Sequence, residues 1–192
     1  MNILLAFAPF LAFALVDTIV GATPGLFTGL IVSLALLVRD WVTPERSPKI
    51  LEIGTALLFG GLAFYAVVAQ PTWSVIGVRL CVDTGLLVIV LASLAVRRPF
   101  TLQYAREQVA PEFWSSPQFI RTNYVLTATW GLAFLVMVAA ELALLYSSNL
   151  PRRIGIIAIV LALWSAVKFT GWYPKYVSGV HKLDPPPASP IR

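Results

Sequence analysis

Long apolar runs separated by short polar links dominate this sequence of 192 residues. The longer runs reach about 18 or more residues, the length that an α-helix needs to cross a hydrocarbon core of about 30 Å. This pattern predicts an all-α protein, a polytopic transmembrane helical bundle with several helices side by side in a bilayer.

The composition argues against a soluble globular domain. Hydrophobic residues make up 58% of the chain and charged residues only 12%, whereas a soluble domain carries about 25% charged residues. The net charge is +5, but the basic residues flank the apolar runs instead of forming a polar domain. They therefore indicate membrane orientation and contact with anionic lipid headgroups, and nucleic acid is not expected as a partner.

Six spans can be drawn within a single transmembrane domain covering residues 1–174. The second span is short, about 22 Å at the helical rise of about 1.5 Å per residue, so we expect it to be tilted, partly re-entrant or paired with the first in a close hairpin. Residues 175–192 are rich in proline and predict a flexible tail. The predicted spans are 3–20, 24–38, 50–69, 73–96, 122–146 and 154–172.

Basic residues divide unevenly between the two sets of alternating links. One set contains only Arg152 and Arg153. Because cytoplasmic links of membrane proteins are enriched in Lys and Arg, the more basic set predicts the cytoplasmic face and places both termini there. That set comprises Arg39, Arg46, Lys49, Arg97, Arg98, Arg106, Arg121, Lys175, Lys182 and Arg192.

Four charged residues fall inside the predicted spans, where each costs at least about 2.5–3.5 kcal/mol to insert. The predicted topology places Asp17, Arg79, Asp83 and Glu141 in the outer half of the bilayer, on three different helices. Arg79 and Asp83 are spaced i, i+4 and are expected to pair along one helix face. Asp17 or Glu141 could then reach Arg79 across a helix interface.

Two interpretations of this intramembrane polar cluster stay open. It could form a polar pocket or an ion or proton path that opens outward, since one arginine among three carboxylates leaves a carboxyl group to bind a proton or a cation. It could instead be a buried ion pair that holds the first, fourth and fifth spans together. Near the inner face, Glu52 and Lys168 are expected to extend their charged ends to water.

The link at 97–121 combines charges with aromatic residues and lies between the fourth and fifth spans. A short helix is predicted over 99–109, with Pro99 in its first turn and Pro111 beyond its end. We interpret the link as an interfacial amphipathic segment at the level of the headgroups, and a ligand- or partner-binding loop is the alternative. The expected lipid or partner contacts are Arg97, Arg98, Phe100, Tyr104, Arg106, Phe113 and Trp114.

Recognisable catalytic chemistry is missing from the sequence. One histidine and one cysteine are too few for a protein-ligated transition metal, and we expect neither a metal nor a cofactor. Signatures of metalloproteases, nucleotide-binding loops and serine hydrolases do not occur. The chain is therefore predicted not to be an enzyme, with a lipid-modifying membrane enzyme as the weaker alternative.

Several short motifs resemble one family. "APFLAFALVD", "LLFGGLAF" and "RRPF" lie in its order, as does "REQVAPEFW" followed by Asn123 and Trp130. Over roughly residues 5–175 the chain resembles the bacterial intracellular septation protein A family of small inner-membrane proteins. The resemblance implies a location in the bacterial inner membrane and a role in envelope maintenance or cell division. It implies no catalytic residues.

Two functions from different classes follow from these observations. The first is a non-enzymatic membrane protein of the septation type, which contacts lipids and envelope or division membrane proteins. The alternative is a small transporter or channel whose site is the intramembrane polar cluster. Because six short spans are few for one transporter, the alternative implies a homo-oligomer.

Overall fold

The computed structural model of the protein describes residues 3–43, 47–147 and 151–181. Every regular element within these ranges is a helix, which confirms the predicted all-α bundle. Two short 3-10 helices, Ile3–Phe7 and Pro111–Phe113, accompany seven α-helices of the described chain. These are α1 (Ala8–Ile19), α2 (Ala22–Val42), α3 (Ile50–Ala69), α4 (Val75–Ala95), α5 (Phe100–Arg106), α6 (Pro117–Tyr146) and α7 (Arg152–His181).

Five helices have the length and composition of membrane spans, namely α2, α3, α4, α6 and α7. The first apolar segment is shorter, with 12 residues in α1 and 5 in the 3-10 helix before it. Laid end to end, these two pieces measure about 28 Å at rises of about 1.5 and 2.0 Å per residue. Six apolar segments therefore correspond to the six predicted spans, and five of them are long.

The expectation of a short second span is wrong. Helix α2 has 21 residues, about 32 Å at the helical rise. It begins just after Gly21, whose φ of 118° makes the tight turn out of α1. Pro24 lies in its first turn, where no helical bond needs the missing N–H. At its other end the helix continues through Arg39 and Asp40, because the Asp40 carboxylate is bonded inside the protein.

Helices α6 and α7 extend beyond their predicted bounds. Each has 30 residues, about 45 Å in length, so each is longer than a hydrocarbon core of about 30 Å is thick. Helix α7 continues through Pro174 to His181, so the prediction of a flexible tail is wrong for 175–181. The rest of that prediction, 182–192, lies outside the described residues.

Aromatic packing joins the helices in the interior. Phe7 stacks on Trp130 with ring centroids 4.4 Å apart, which anchors the start of the chain to α6. Phe59 of α3 packs against Phe10 and Phe13 of the first segment. A Cβ at Gly29 would lie 2.6 Å from the Phe59 ring, so α2 approaches α3 closely only because it carries glycine there.

The chain's links lie at two ends of the bundle. Contacts between α1 and α2, α2 and α3, α3 and α4, and α6 and α7 show that these helices pack as successive hairpins. We call the end that carries residues 43, 47–49 and 96–116 and the last turns of α7 the basic end. The opposite end carries the links 20–21 and 70–74, and residues 147 and 151.

Candidate functional site

A buried lysine lies at the centre of the basic end. Lys49, in the link before α3, has a side chain only 2% exposed. Its Nζ contacts the Asp40 carboxylate at the end of α2, lies 2.8 Å from Glu107 Oε1, and lies 3.8 Å from Glu52 Oε1. One ammonium group therefore connects α2, α3 and the turn that follows α5.

Two further groups complete this arrangement. Arg39 donates from Nη2 to Asp40 Oδ1 at 2.8 Å. The Tyr104 hydroxyl on α5 donates to Glu52 Oε1 at 3.4 Å, and Lys49 Nζ lies 5.2 Å from the Tyr104 ring centroid. We call these six residues the ionic cluster, namely Arg39, Asp40, Lys49, Glu52, Tyr104 and Glu107.

At Lys49 and Glu107, charge pairing affects the pKa more than burial does. Burial alone would lower the pKa of Lys49, but its hydrogen bonds to Asp40 and Glu107 raise that pKa above its ordinary value. Burial alone would raise the pKa of Glu107, but its hydrogen bond to Lys49 lowers that pKa. Both groups are therefore charged at neutral pH. Burial and the neighbouring Glu52 raise the pKa of Tyr104, which stays a neutral donor.

Side-chain bonds attach α5 to helices on both of its sides. The Ile50 N–H at the start of α3 donates to Gln103 Oε1 at 2.8 Å, which satisfies a backbone donor that the helix cannot bond itself. Thr101 donates from Oγ1 to the Asn123 carbonyl of α6 at 2.8 Å, and its hydroxyl also shares a hydrogen bond with Thr127. Helix α5 is therefore inserted into the bundle.

Because α5 is inserted, two residues predicted for the lipid or partner contact surface lie inside the protein. Phe100 and Tyr104 are 0% and 1% exposed, so the expectation that they belong to an outer surface facing lipid or a partner is wrong. Phe100 packs edge-on against Phe7 in the core, with ring centroids 6.4 Å apart. The spacing of four correctly placed Phe100 and Tyr104 on one stripe, but that stripe faces the protein. Glu52 is also buried, at 2% exposure, and does not extend to water.

The other residues predicted for this surface are accessible. Arg97, Arg98 and Arg106 are exposed at the basic end. Phe113 is 55% exposed. Trp114 is partly buried beneath Arg106, whose guanidinium carbon lies 5.4 Å from the indole ring. We call these five residues the basic surface.

At the opposite end the structure brings together Asp17 and Arg79. Arg79 donates from Nε to Asp17 Oδ2 at 3.1 Å and from Nη2 to Thr18 Oγ1 at 2.8 Å. The Asp17 side chain is fully buried, whereas that of Arg79 is 38% exposed. This pair fastens α1 to α4.

The other two residues of the predicted intramembrane cluster meet each other. The carboxyl groups of Asp83 on α4 and Glu141 on α6 are close enough to interact electrostatically. The expected i, i+4 ion pair of Arg79 with Asp83 is not among the salt bridges of the described chain, because the guanidinium group is turned toward α1.

A cavity of about 400 Å³ lies at the basic end, between α5, the first turns of α6 and the last turns of α7. Its lining includes Thr101, Tyr104, Asn123 and Thr170 from the three helices. Asn123 is 2% exposed, and its Oδ1 is buried without a hydrogen-bond partner. The described residues contain no group of three or more His, Cys, Asp or Glu placed to hold a metal ion.

The ionic cluster and the cavity were not predicted from the sequence. One signal was available, because Asp40, Lys49 and Glu52 flank one link and Glu107 lies in the next link at the same end. Opposite charges in neighbouring links of one end are candidates for pairing. Nothing in the sequence distinguishes Asn123 Oδ1 from an amide oxygen that is hydrogen-bonded.

Comparisons with models of protein families, with curated proteins and with solved structures give no match to this chain.

Proposed function

We propose that this chain is a non-enzymatic integral membrane protein of the septation type in the bacterial inner membrane. It acts through its basic end, which contacts anionic lipid headgroups and envelope or division membrane proteins. In this proposal both termini are cytoplasmic, in agreement with the concentration of Lys and Arg at that end.

The observation that carries the proposal is the attachment of the basic surface to the bundle by the ionic cluster. Lys49 Nζ, 2.8 Å from Glu107 Oε1, ties the turn after α5 to the start of α3. Removing one partner of a buried ion pair costs about 3–5 kcal/mol, so this link is held in one arrangement. A contact surface held in its bound arrangement loses less entropy when a partner binds.

The composition of the basic surface supports contact with a membrane. Exposed arginines attract anionic lipids at about 1 kcal/mol per charge, and aromatic side chains favour the interface between water and lipid. Arg97, Arg98 and Arg106 supply the charges, and Phe113 and Trp114 supply the aromatic rings.

Site-specific photo-crosslinking in the native host tests the partner contact. A photoreactive residue at Phe113, which is 55% exposed, is expected to crosslink to a membrane protein of the envelope or division machinery. The same residue at Leu57 on α3, which is 72% exposed, is the matched control and is expected to crosslink to lipid alone. Identical products at both positions, together with normal envelope and division in cells lacking the chain, would refute the proposal.

A transporter or channel is the second candidate, and the proximity of two ionisable groups, Asp83 and Glu141, within the spans favours it. Ionisable groups within membrane spans often mark the paths of protons or ions. Liposomes containing the purified protein should then show a proton or cation flux that Asp83→Asn and Glu141→Gln abolish. Thr129→Val on α6 is the control that should retain the flux, and a wild-type protein without flux would rule this candidate out.

A further inference from the structure

The cavity at the basic end has the size and access of a ligand site. Its volume of about 400 Å³ falls within the range of about 300–1,000 Å³ that is typical of small-molecule sites. Gln108 and Phe113 belong both to its lining and to the exposed surface, so the cavity reaches the outside of the protein. In the proposed placement of the basic end, the parts of α6 and α7 beyond the length of a membrane span lie here, and the cavity lies at the level of the headgroups.

Asn123, one of the lining residues, has an unused hydrogen-bond acceptor. Its Nδ2 donates to the Phe119 carbonyl at 2.8 Å, which determines the orientation of the amide and leaves Oδ1 as the remaining group. Oδ1 is buried and accepts no hydrogen bond. A buried acceptor without a partner is costly, so a ligand with an O–H or N–H donor would be favoured.

Other polar groups of the lining already have partners. Thr170 Oγ1 accepts a hydrogen bond from Trp130 Nε1 and donates to the Ala166 carbonyl. The Tyr104 hydroxyl donates to Glu52, and Thr101 donates to the Asn123 carbonyl. Asn123 Oδ1 is therefore distinguished from these neighbours as the acceptor that a ligand would meet.

The charges around the cavity favour an anionic ligand. All of its lining residues belong to the described chain, and none of them is an Asp or Glu. Four exposed charged residues are each adjacent in sequence to a lining residue, namely the cations Arg106, Arg121 and Lys175 and the carboxylate Glu112, so positive charge predominates around the cavity. An anion near these side chains gains from charge pairing.

We infer that this cavity binds the headgroup of an anionic glycerophospholipid that carries free hydroxyl groups, as phosphatidylglycerol does. A headgroup hydroxyl donates to Asn123 Oδ1, and the phosphate lies toward the exposed cations. The inference rests on the proposed placement of the basic end among lipid headgroups, and it deepens that proposal by naming the lipid.

Native mass spectrometry of the full-length protein, released from mixed-lipid nanodiscs, tests this inference. Phosphatidylglycerol competes with phosphatidylmethanol, which has the same charge but no headgroup hydroxyl, and with zwitterionic phosphatidylcholine. The wild type should retain phosphatidylglycerol about three- to tenfold better than phosphatidylmethanol, the range for one hydrogen bond. Both anionic lipids should be retained better than phosphatidylcholine.

Four variants assign the effect to the site. Asn123→Leu should remove the preference for phosphatidylglycerol, whereas Thr129→Val on the same helix should keep it. Ala105→Leu fills the cavity from α5 and should also remove the preference for phosphatidylglycerol. This variant tests the site even if Asn123→Leu does not fold. Arg106→Gln should weaken retention of both anionic lipids equally.

The outcomes separate this inference from the proposed function. Equal retention of the two anionic lipids by the wild type, or an unchanged preference in both Asn123→Leu and Ala105→Leu, would overturn only the headgroup site. Retention of anionic lipids no better than of phosphatidylcholine would also remove the lipid contact from the proposed function. If the protein binds soluble glycerophosphoglycerol but retains no lipid, the ligand of the cavity is a soluble molecule and the inferred lipid is wrong.

Discussion

Lys49 Nζ lies 2.8 Å from Glu107 Oε1, although the two residues belong to different links of the chain. The lysine stands just before α3 and the glutamate just after α5, so this ion pair joins two connections at one end of the bundle. It explains why a charged link between two membrane spans packs into the protein. The ammonium group has carboxylate partners in three different elements, and its loss would affect all of them.

We expect Lys49→Met to lower the free energy of unfolding by about 3–5 kcal/mol, the range for leaving a buried charge without its partner. Denaturant unfolding in a mild detergent measures the change. Lys168→Met is the matched control, since Lys168 is exposed on α7, and it should change the stability by less than about 1 kcal/mol. Equal losses in the two variants would contradict the role of Lys49.

The free energy of unfolding should decrease both at low pH and at high pH. Because Lys49 lowers the pKa of Glu107, the contribution of Glu107 is present above the ordinary value near 4.5 and is lost as the pH falls through the lowered pKa. The pKa of Lys49 is raised, so its contribution is present below its ordinary value near 10.5 and is lost as the pH rises through the raised pKa. The unfolding free energy should therefore be greatest between these limits.

The Glu107→Gln variant tests the part of this pH dependence that lies at low pH. The variant should be less stable than the wild type at neutral pH, and the difference should shrink as the pH falls through the lowered pKa of Glu107, where the wild-type side chain also loses its charge. Glu112→Gln, at an exposed position of the same link, is the control and should follow the wild-type curve. A difference that stays constant down to pH 2 would contradict this account.

Gly29→Ala should destabilise the protein by about 1–3 kcal/mol, the usual cost of overpacking a core. The added Cβ would lie 2.6 Å from the Phe59 ring, and α2 would have to move away from α3. Gly61→Ala is the control within a neighbouring helix, because a Cβ there meets nothing within 4 Å. It should leave stability unchanged or raise it by up to about 1 kcal/mol through helix propensity. Similar effects at the two glycines would refute the close approach.

Asp17 and Arg79 should be coupled energetically. In a double-mutant cycle of Asp17→Asn and Arg79→Gln, a coupling of about 0.5–3 kcal/mol is expected for residues in contact. A second cycle that combines Asp17→Asn with Arg152→Gln should give a coupling near zero, because Arg152 is exposed at the start of α7 and has no ion pair among the described residues. A coupling near zero in the first cycle would show that the pair does not fasten α1 to α4.

Much of the fold could be predicted from the sequence, since apolar length and the limits of helices are local properties. The runs at 50–69 and 73–96 correspond to α3 and α4 almost residue for residue. The short helix between the fourth and fifth spans was also found, because prolines at 99 and 111 bracket it. The second span is longer than the sequence predicts because its helix continues through Arg39 and Asp40, whose charges are paired with each other and with Lys49.

The candidate sites could be predicted only in part, because pairing between helices depends on packing. Spacing along α4 favoured a bond between Arg79 and Asp83, but α1 brings Asp17 to the guanidinium group and α6 brings Glu141 to Asp83. Spacing placed Phe100 and Tyr104 on one stripe of α5 without indicating which side that stripe faces.

The sequence by itself determined that this protein is a helical membrane protein with most of its basic residues at one end. Those properties follow from the length and the charge of continuous segments. Only the tertiary structure decided that α5 inserts between helices, that Lys49 pairs with three carboxylates and that Asn123 lines a cavity. These relationships join residues far apart in the chain, and the positions of the packed helices determine which of their polar groups meet.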